Sequence, residues 1–207
     1  MCTQIKAIQR IGPHNQDILS AFVGNLLGDG WAEKRYGAIR MHIHMSHRNQ
    51  QYVYWLHAFY ASRNYCSSAF PKKKIRIGKK SKAYISIKFR TWSFTSLCWL
   101  YDAFYAAGKK KIPSNIACLL TPMAFAFWVM DDGAKAEGLR LHTEGYTYED
   151  ILRLQHACEQ NFHVRPTIQK RKNMYWMLYF TKAQKKILGP IIAPYMHPSM
   201  MYKILVP

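Results

Sequence analysis

One short stretch of this sequence occurs twice and constrains the fold more than any other feature. Residues 22–30 and 125–133 are apolar runs that end abruptly in Asp-Gly, at Asp29 and Asp132. An apolar run of two or more turns closed by glycine predicts a buried helix with its C-terminal cap. The C-terminal end of a helix carries partial negative charge, so an acidic residue there is unfavourable. The repetition therefore predicts that positive charge belongs beside both aspartates.

The charge balance indicates the class of partner. The chain of 207 residues has 30 Lys and Arg against 11 Asp and Glu, a formal net charge of +19. This excess favours nucleic acid as the partner, with an anionic membrane surface as the weaker alternative. Hydrophobic residues make up 49% of the chain, which is typical of a folded protein. No apolar stretch approaches the roughly 18 residues that span a bilayer, so we expect no membrane insertion.

The cysteines and the N-terminal segment bear on the compartment. Residues 1–12 lack the apolar core of a signal peptide, so no targeting signal is predicted. The cysteines are scattered without a Cys-x-x-Cys pair, which fits neither a disulfide framework nor a zinc ribbon. We therefore expect free thiols, mostly buried, in a reducing compartment. The five positions are Cys2, Cys66, Cys98, Cys118 and Cys158.

Capping residues and apolar periodicity predict the helices. The first is expected from about Ile18 to Asp29, and its Gly24 and Gly28 predict close approach of another backbone. The second motif helix is expected to begin at Pro122, with Thr121 as a good N-cap, and to run into Asp131 and Asp132. Further helices are predicted over residues 49–62, 93–107, 147–161 and 181–192, of which the third begins in a Thr-x-x-Asp capping box and the fourth has Thr181 as its N-cap.

Alternating patterns predict strands that are apolar on one face and basic or polar on the other. Residues 39–46, 74–77 and 84–90 alternate in this way, with a basic turn at 78–82, and residues 139–142, 165–171 and 175–180 correspond in the second half. The polar face is the predicted nucleic-acid surface. Its candidate contacts are Arg40, His42, His44, Lys74, Arg76, Tyr84, Ser86, Lys88, Arg90, Lys135, Arg140, His142, Arg165, Gln169, Arg171 and Tyr175.

Three histidines near residue 44 have a spacing that a zinc site could also use. Strand alternation places His42 and His44 beside Arg40, however, and His47 follows them. Their basic neighbour favours base or phosphate contact over zinc binding.

The coarse order α-β-β-α-β-β-α occurs twice, with the two Asp-Gly motifs half the chain apart. It predicts an α+β fold made by internal duplication, with one half at residues 13–112 and the other at 113–207. Each half is expected to form a four-stranded antiparallel sheet, apolar on its helix side and open on the other. Together the open faces would form a basic saddle for duplex DNA.

Paired carboxylates at the helix ends predict metal chemistry. If the two helices pack side by side, Asp29 and Asp132 converge, and their charges repel unless a cation lies between them. Mg²⁺ suits such a site because it takes oxygen ligands and keeps several waters. Metal ions so placed can stabilise the attacking and leaving oxygens of a phosphoryl displacement.

The chain resembles the LAGLIDADG homing endonucleases, specifically the single-chain, intron-encoded kind that carries two motifs. The resemblance covers nearly the whole chain. It rests on residues 27–30, Thr121-Pro122, residues 128–133, the Lys-Ile-Pro segment at 111–113 and the ending at 200–203. The chain departs from the family pattern at Asn25 and Trp128, which replace leucine, and at Phe127, which stands where the first motif has Gly24.

The resemblance implies roles for the motif residues. Asp29 and Asp132 would bind the metal ions, helped by the backbone carbonyls of Gly28 and Asp131. Two lysines would polarise solvent or contact the scissile phosphates, at Lys110 and Lys203. Because Lys109, Lys110 and Lys111 are consecutive, the choice among these three stays open.

The resemblance also implies a reaction. The expected protein is a monomer that hydrolyses both strands of a long, asymmetric DNA target, leaves short 3′ overhangs and so promotes intron mobility. Mg²⁺ is the expected cofactor, with Mn²⁺ as a substitute and Ca²⁺ supporting binding without cleavage.

Two other functions fit the same residues. One is an RNA maturase that helps its own intron to splice, and the other is a DNA-binding regulator that does not cleave. The intact Asp29 and Asp132 argue against the regulator. An organelle, either chloroplast or mitochondrion, is the expected compartment, with the bacterial cytoplasm as the alternative.

Overall fold

A computed structural model describes residues 6, 10, 13–78, 83–171 and 175–205. The first elements are α1 (Gln16–Leu27), β1 (Trp31–Arg35), β2 (Ala38–Ser46), α2 (Gln50–Ser62), β3 (Lys73–Ile77), β4 (Ala83–Arg90) and α3 (Cys98–Phe104). A hairpin of β5 (Tyr105–Ala106) and β6 (Lys109–Lys110) and the single turn α4 (Ile116–Leu119) follow. The remaining elements are α5 (Pro122–Asp132), β7 (Gly133–Lys135), β8 (Leu139–His142), α6 (Tyr148–Phe162), β9 (Thr167–Arg171), β10 (Tyr175–Phe180) and α7 (Lys182–Ile192). The predicted α+β fold with a repeated α-β-β-α-β-β-α order is confirmed.

The chain divides into two compact units. The first comprises residues 29–101 with the segment before residue 15, and the second comprises residues 15–28 and 102–207. Helix α1 therefore belongs to the second unit, although it comes first in the sequence. The predicted boundary at 112/113 divides the chain by sequence repeat rather than by packing, and it stays a prediction.

The first unit contains an antiparallel sheet with the strand order β1-β2-β4-β3. Its strands pair in a register that places Met41, Ile43 and Ile87 on one face, where all three are buried. Helix α2 packs on β2 and β4 and buries Val53 and Leu56. The predicted turn at 78–82 lies mostly outside the described residues, since only Gly78 of it is described.

The second unit contains the matching sheet, with the order β7-β8-β10-β9. Leu139, Leu141, Leu178 and Phe180 are fully buried on one face, which α5 and α6 cover. The Thr147–Asp150 capping box that begins α6 is present, and Thr181 and Gln184 form another at α7.

Helices α1 and α5 pack against each other at the centre of the second unit. A Cβ atom on Gly24 would lie 2.4 Å from the carbonyl oxygen of Ala124 and 2.5 Å from Cβ of Phe127. A Cβ atom on Gly28 would lie 2.4 Å from Cβ of Asp131. The predicted close approach of another backbone is confirmed at Gly24, whereas at Gly28 the close neighbour is the side chain of Asp131.

Two of the predicted helices differ from the structure in where they begin or end. Helix α1 ends at Leu27 rather than Asp29, and its C-cap is Gly28. The helix predicted over 93–107 is wrong in both bounds, because α3 covers only Cys98–Phe104. Ala107 and Gly108 adopt positive φ angles of 48° and 76°, which turn the chain into the β5–β6 hairpin. This hairpin carries Lys110.

The cysteines at positions 66, 98, 118 and 158 are free thiols. Cys66 and Cys158 are buried, whereas Cys118 is exposed and Cys98 is partly exposed, so the expectation of mostly buried thiols holds for only two. Burial raises the pKa of Cys66 to about 12. Cys2 lies outside the described residues. Within the described ranges, the helices are all too short or too polar to cross a membrane.

Candidate active site and nucleic-acid surfaces

The C-terminal end of α1 opens onto a cleft of about 200 Å³ in the second unit. Gly28, Lys110, Asp132 and Tyr146 line this cleft, together with Leu27 and the loop at 142–145. The residues come from α1, the β5–β6 hairpin, the end of α5 and the loop before α6. The fold therefore brings a backbone carbonyl, a carboxylate and a lysine of the predicted site together in one cavity.

Lys110 contacts the C-terminal end of α1. Its ammonium group donates a hydrogen bond of 2.9 Å to the carbonyl oxygen of Gly28. Lys109 is exposed on the same hairpin. Of the two lysines on β6, Lys110 is the one placed in the cleft, while its catalytic role stays a prediction.

Tyr146 is a site residue that the sequence did not indicate. Its hydroxyl lies 3.3 Å from the carbonyl oxygen of Leu26 and 3.2 Å from that of Leu27, and it donates to them. Burial raises the pKa of Tyr146, and the negative charge of Asp132 raises it further. A tyrosine in a polar loop carries no spacing signal, so only the folded structure places it here.

Lys203 occupies the matching position at the C-terminal end of α5. Its side chain is buried, and its ammonium lies 2.6 Å from the carbonyl oxygen of Met130, 3.3 Å from that of Val129 and 3.4 Å from that of Asp131. Both motif helices thus end against a lysine. The two ammonium groups supply the positive charge that acidic residues at a helix C-terminus require.

The two aspartates at the end of α5 face different surroundings. Asp131 accepts a hydrogen bond of 3.1 Å from the amide of Asn25, a fully buried residue of α1. This contact explains why asparagine stands at position 25 in place of leucine. Asp132 instead lines the cleft with Gly28 and Lys110. The geometry favours Asp132 over Asp131 as the carboxylate available to a ligand.

Asp29 follows Gly28 directly and is exposed. It belongs to the first unit, and its predicted position beside Asp132 stays a prediction.

The donors in the cleft fit a hard cation. Among the described residues, no group of three or more His, Cys, Asp or Glu side chains could hold a metal ion. The cleft offers the carboxylate of Asp132 and the carbonyl oxygen of Gly28, and its lining also includes Glu144 and His142, which lie 3.0 Å apart. The carboxylate of Asp132 and the carbonyl oxygen of Gly28 are oxygen donors of the kind that Mg²⁺ takes, and Mg²⁺ completes its shell with water. His42 and His44 likewise lie in no such group.

One face of the first sheet carries every contact residue predicted for that half. The strand register places them side by side, and all of them except Arg40 and Tyr84 line a groove of about 640 Å³. The face comprises Arg40, His42, His44, Lys74, Arg76, Tyr84, Ser86, Lys88 and Arg90. These side chains have the predicted common face, while their contacts with DNA stay predictions.

The second sheet carries only part of its predicted set on the open face. Arg140, His142, Gln169, Arg171 and Tyr175 share that face in the strand register. Lys135 pairs with Leu139 and therefore lies on the helix side of the sheet. Arg165 precedes β9 and pairs with Glu159 at 2.7 Å. The open face of this sheet is thus less basic than the sequence suggested.

Comparison with known proteins decides the family. The family model described as the LAGLIDADG DNA endonuclease family matches residues 19–188. The chain belongs to this family. It is 38% identical over 205 residues to the cytochrome b mRNA maturase bI2 of Saccharomyces cerevisiae, covering 94% of this chain and 48% of that protein. The chain therefore spans about half the length of that relative.

Two further comparisons concern a sequence relative and a solved structure, and the solved structure supports the fold. The intron-encoded endonuclease ai4 of Dictyostelium discoideum is 33% identical over 158 residues, which cover 72% of this chain and 98% of the relative. The solved structure of the homing endonuclease I-WcaI bound to its DNA recognition sequence superposes with a TM-score of 0.86 at 22% identity. That match covers 96% of this chain and 90% of the other.

Proposed function

We propose that this chain is a homing endonuclease that makes a double-strand break with short 3′ overhangs in a long, asymmetric DNA target and so promotes intron mobility. The observation that carries the proposal is the cleft shared by Gly28, Asp132 and Lys110. These are motif residues of an endonuclease family, drawn from three separate elements. The basic face of the first sheet supplies a surface for the duplex.

The chemistry is hydrolysis of a phosphodiester. A water oxygen forms a bond to phosphorus, the bond from phosphorus to the 3′ oxygen breaks, and the 3′ oxygen takes up a proton. A divalent cation, when bound, supplies positive charge at the phosphate and lowers the pKa of water. Asp132 and the Gly28 carbonyl would hold this cation, with Asp29 and the Asp131 carbonyl completing the proposed ligands. Lys110 and Lys203 would offset the negative charge that builds up on the phosphate.

Mg²⁺ is the proposed cofactor, with Mn²⁺ as a substitute and Ca²⁺ supporting binding alone. We further propose that the chain acts as a monomer in an organelle. The relative named for cytochrome b mRNA supports an organellar compartment over a bacterial one.

The decisive experiment is cleavage of a randomised duplex library with Mg²⁺, followed by sequencing of the cut ends. We expect one family of long sites with 3′ overhangs. Asp132→Asn should abolish the double-strand break and leave duplex binding in Ca²⁺ within a few-fold of the parent. Asp17→Asn, which changes an acid in the first turn of α1, is the matched control and should cut normally. Normal double-strand cleavage by Asp132→Asn would overturn the site assignment.

A maturase function is the second candidate, and the 38% identity to a named mRNA maturase favours it. Its test is splicing of the host intron in the presence of the chain. If Asp132→Asn still promotes splicing after losing cleavage, the chain has both functions and the maturase surface lies elsewhere. No effect of the parent protein on splicing would remove this candidate.

A further inference from the structure

An acidic residue lies among the basic side chains at the open face of each sheet. The chain has only 11 Asp and Glu against 30 Lys and Arg, yet Glu33 lies on β1, and Glu144 lies two residues after β8 at the edge of the cleft that holds Asp132. A carboxylate at such a surface repels DNA phosphates and weakens binding to any duplex. The two glutamates therefore require an explanation other than affinity.

Glu33 binds two of the predicted DNA contacts in the first unit. Its Oε2 atom accepts a hydrogen bond from Nε of Arg40 at 2.7 Å and forms an ion pair with Nη2 of the same side chain at 2.6 Å. The same oxygen lies 2.9 Å from Nε2 of His42, whose ring stacks on Trp31 at a centroid distance of 5.1 Å. These hydrogen bonds from Arg40 and His42 hold the pKa of Glu33 down at about 2, so its carboxylate is ionised at neutral pH.

Glu144 makes the same kind of cluster in the second unit. Its Oε1 atom lies 3.0 Å from Nδ1 of His142 and 2.9 Å from Nη1 of Arg171. Each cluster thus joins a glutamate to a histidine and an arginine, and in the first unit Arg35 lies 3.8 Å from Glu33 as a second arginine. In the first unit β1 and β2 supply them, whereas β8, the loop after it and β9 supply them in the second. Since different elements contribute, simple duplication of one sequence pattern does not account for the repetition.

Stability does not explain the clusters either. All the side chains involved are partly exposed, at between 21% and 47%. Ion pairs with such exposure contribute at most about 1 kcal/mol each. A residue that adds little stability and opposes phosphate binding fits a role in discrimination, because specificity depends on penalising wrong partners as well as rewarding the right one.

We propose that Glu33 and Glu144 are specificity-determining residues of the DNA surface. Each glutamate fixes an arginine and a histidine in one orientation toward base edges and prevents them from swinging to backbone phosphates. Nη1 of Arg40 makes no contact with Glu33 and is left for a base acceptor such as those of guanine. This inference rests on the proposed function, because it requires that the chain binds duplex DNA.

The test begins with Glu33→Gln and binding to a duplex without the target sequence. Release of Arg40 to a phosphate should tighten this non-specific binding several-fold. It should also steepen the slope of log K against log salt by about one unit, the effect of one added phosphate contact. Glu149→Gln is the matched control, because it removes the same charge from an exposed position in the first turn of α6.

Selectivity is read from the randomised cleavage library. Glu33→Gln should accept more bases at a few adjacent positions of the site, and Glu144→Gln should do so at a different set. Glu149→Gln should leave the preferences of the parent unchanged. If the glutamates only neutralise charge, neither Glu33→Gln nor Glu144→Gln should change the base preferences. Equal base preferences of Glu33→Gln and Glu149→Gln would overturn the proposal.

Two measurements separate the remaining explanations. Thermal unfolding of each variant shows whether lost selectivity reflects a lost fold. If Glu33 acts through Arg40, Glu33→Gln should add nothing to the salt slope in an Arg40→Gln background, whereas an unchanged increment there would contradict the proposal. If the parent protein binds no duplex, the proposed function and this inference both fail. If the parent cuts normally and Glu33→Gln has the same non-specific binding and base preferences as the parent, only the inference fails.

Discussion

The C-terminal ends of α1 and α5 carry the same acidic motif but hold their carbonyl oxygens with different donors. At the end of α1 two side chains donate to the carbonyl oxygens, namely the hydroxyl of Tyr146 and the ammonium of Lys110, and Lys110 lines an open cleft. At the end of α5 the single buried ammonium of Lys203 contacts three carbonyl oxygens. Both helix ends need donors for their terminal carbonyl oxygens. Two side chains provide them at the end of α1, and one buried lysine provides them at the end of α5.

The difference separates stability from chemistry at the two ends. A buried donor that serves several acceptors cannot be removed without leaving those acceptors unsatisfied. A donor in an open cleft can be removed, because water takes its place. We therefore expect the α5 end to depend on Lys203 for folding and the α1 end to tolerate the loss of Lys110.

The largest expected effect is that of Lys203→Met. The variant leaves the carbonyl oxygens of Met130 and Asp131 without this donor in a buried setting, at a cost of roughly 3 kcal/mol in the free energy of unfolding. Denaturant titration measures the change, and Lys186→Met, at an exposed position of α7, is the control. A loss no larger than that of the control would show that the α5 end does not depend on its lysine.

The next effect tests the packing of the two helices. Gly24→Ala places a methyl group 2.4 Å from the carbonyl oxygen of Ala124, and backbone cannot yield easily. Overpacking of this kind costs about 2 kcal/mol. Gly145→Ala is the control, because a methyl group there has no atom within 4 Å. If Gly24→Ala is as stable as the parent, α1 and α5 can shift apart, and the donors at their ends are not fixed by this contact.

Tyr146→Phe should have a smaller effect. The substitution removes the hydroxyl that donates to the carbonyl oxygens of Leu26 and Leu27 and keeps the ring in place. A lost hydrogen bond of this kind lowers the free energy of unfolding by about 1 kcal/mol. Tyr148→Phe is the matched control, since Tyr148 is 42% exposed and packs its ring against Trp176. Equal stability of the two variants would leave Lys110 as the only donor that matters at the end of α1.

The sequence predicted what depends on local signals. Thr121, Thr147 and Thr181 cap their helices as expected, because capping is decided within four residues. The two Asp-Gly motifs and the alternating strands gave the fold for the same reason. The sequence did not show that Lys135 lies on the helix side of the sheet. Because β7 has only three residues, its register with β8 rather than alternation decides this face.

The remaining site residues depend on tertiary contacts that no spacing reveals. Tyr146 reaches α1 across more than half of the chain, and Lys110 reaches Gly28 only because the turn at Ala107 and Gly108 forms a hairpin. Strand alternation likewise predicted the basic face of the first sheet but not the pairing of Arg40 and His42 with Glu33. Such contacts follow from how elements meet, which is settled only in the fold.

The smallest expected effect on stability, and the sharpest test of the comparison, is that of Lys110→Met. Water can replace its ammonium in the cleft, so the free energy of unfolding should change by less than about 0.5 kcal/mol. Cleavage is expected to behave differently, because loss of a positive group at a developing negative charge slows the reaction by about 10²–10³-fold.

Since Lys203 serves the other helix end, only one strand should be affected, and nicked plasmid should accumulate from a supercoiled substrate carrying the site. Lys109→Met, at the exposed neighbouring position, should give linear product at the parent rate. Accumulation of nicked product with an intact fold would show that the two ends act on separate strands, whereas equal slowing of both strands would show that the lysine of one end serves both.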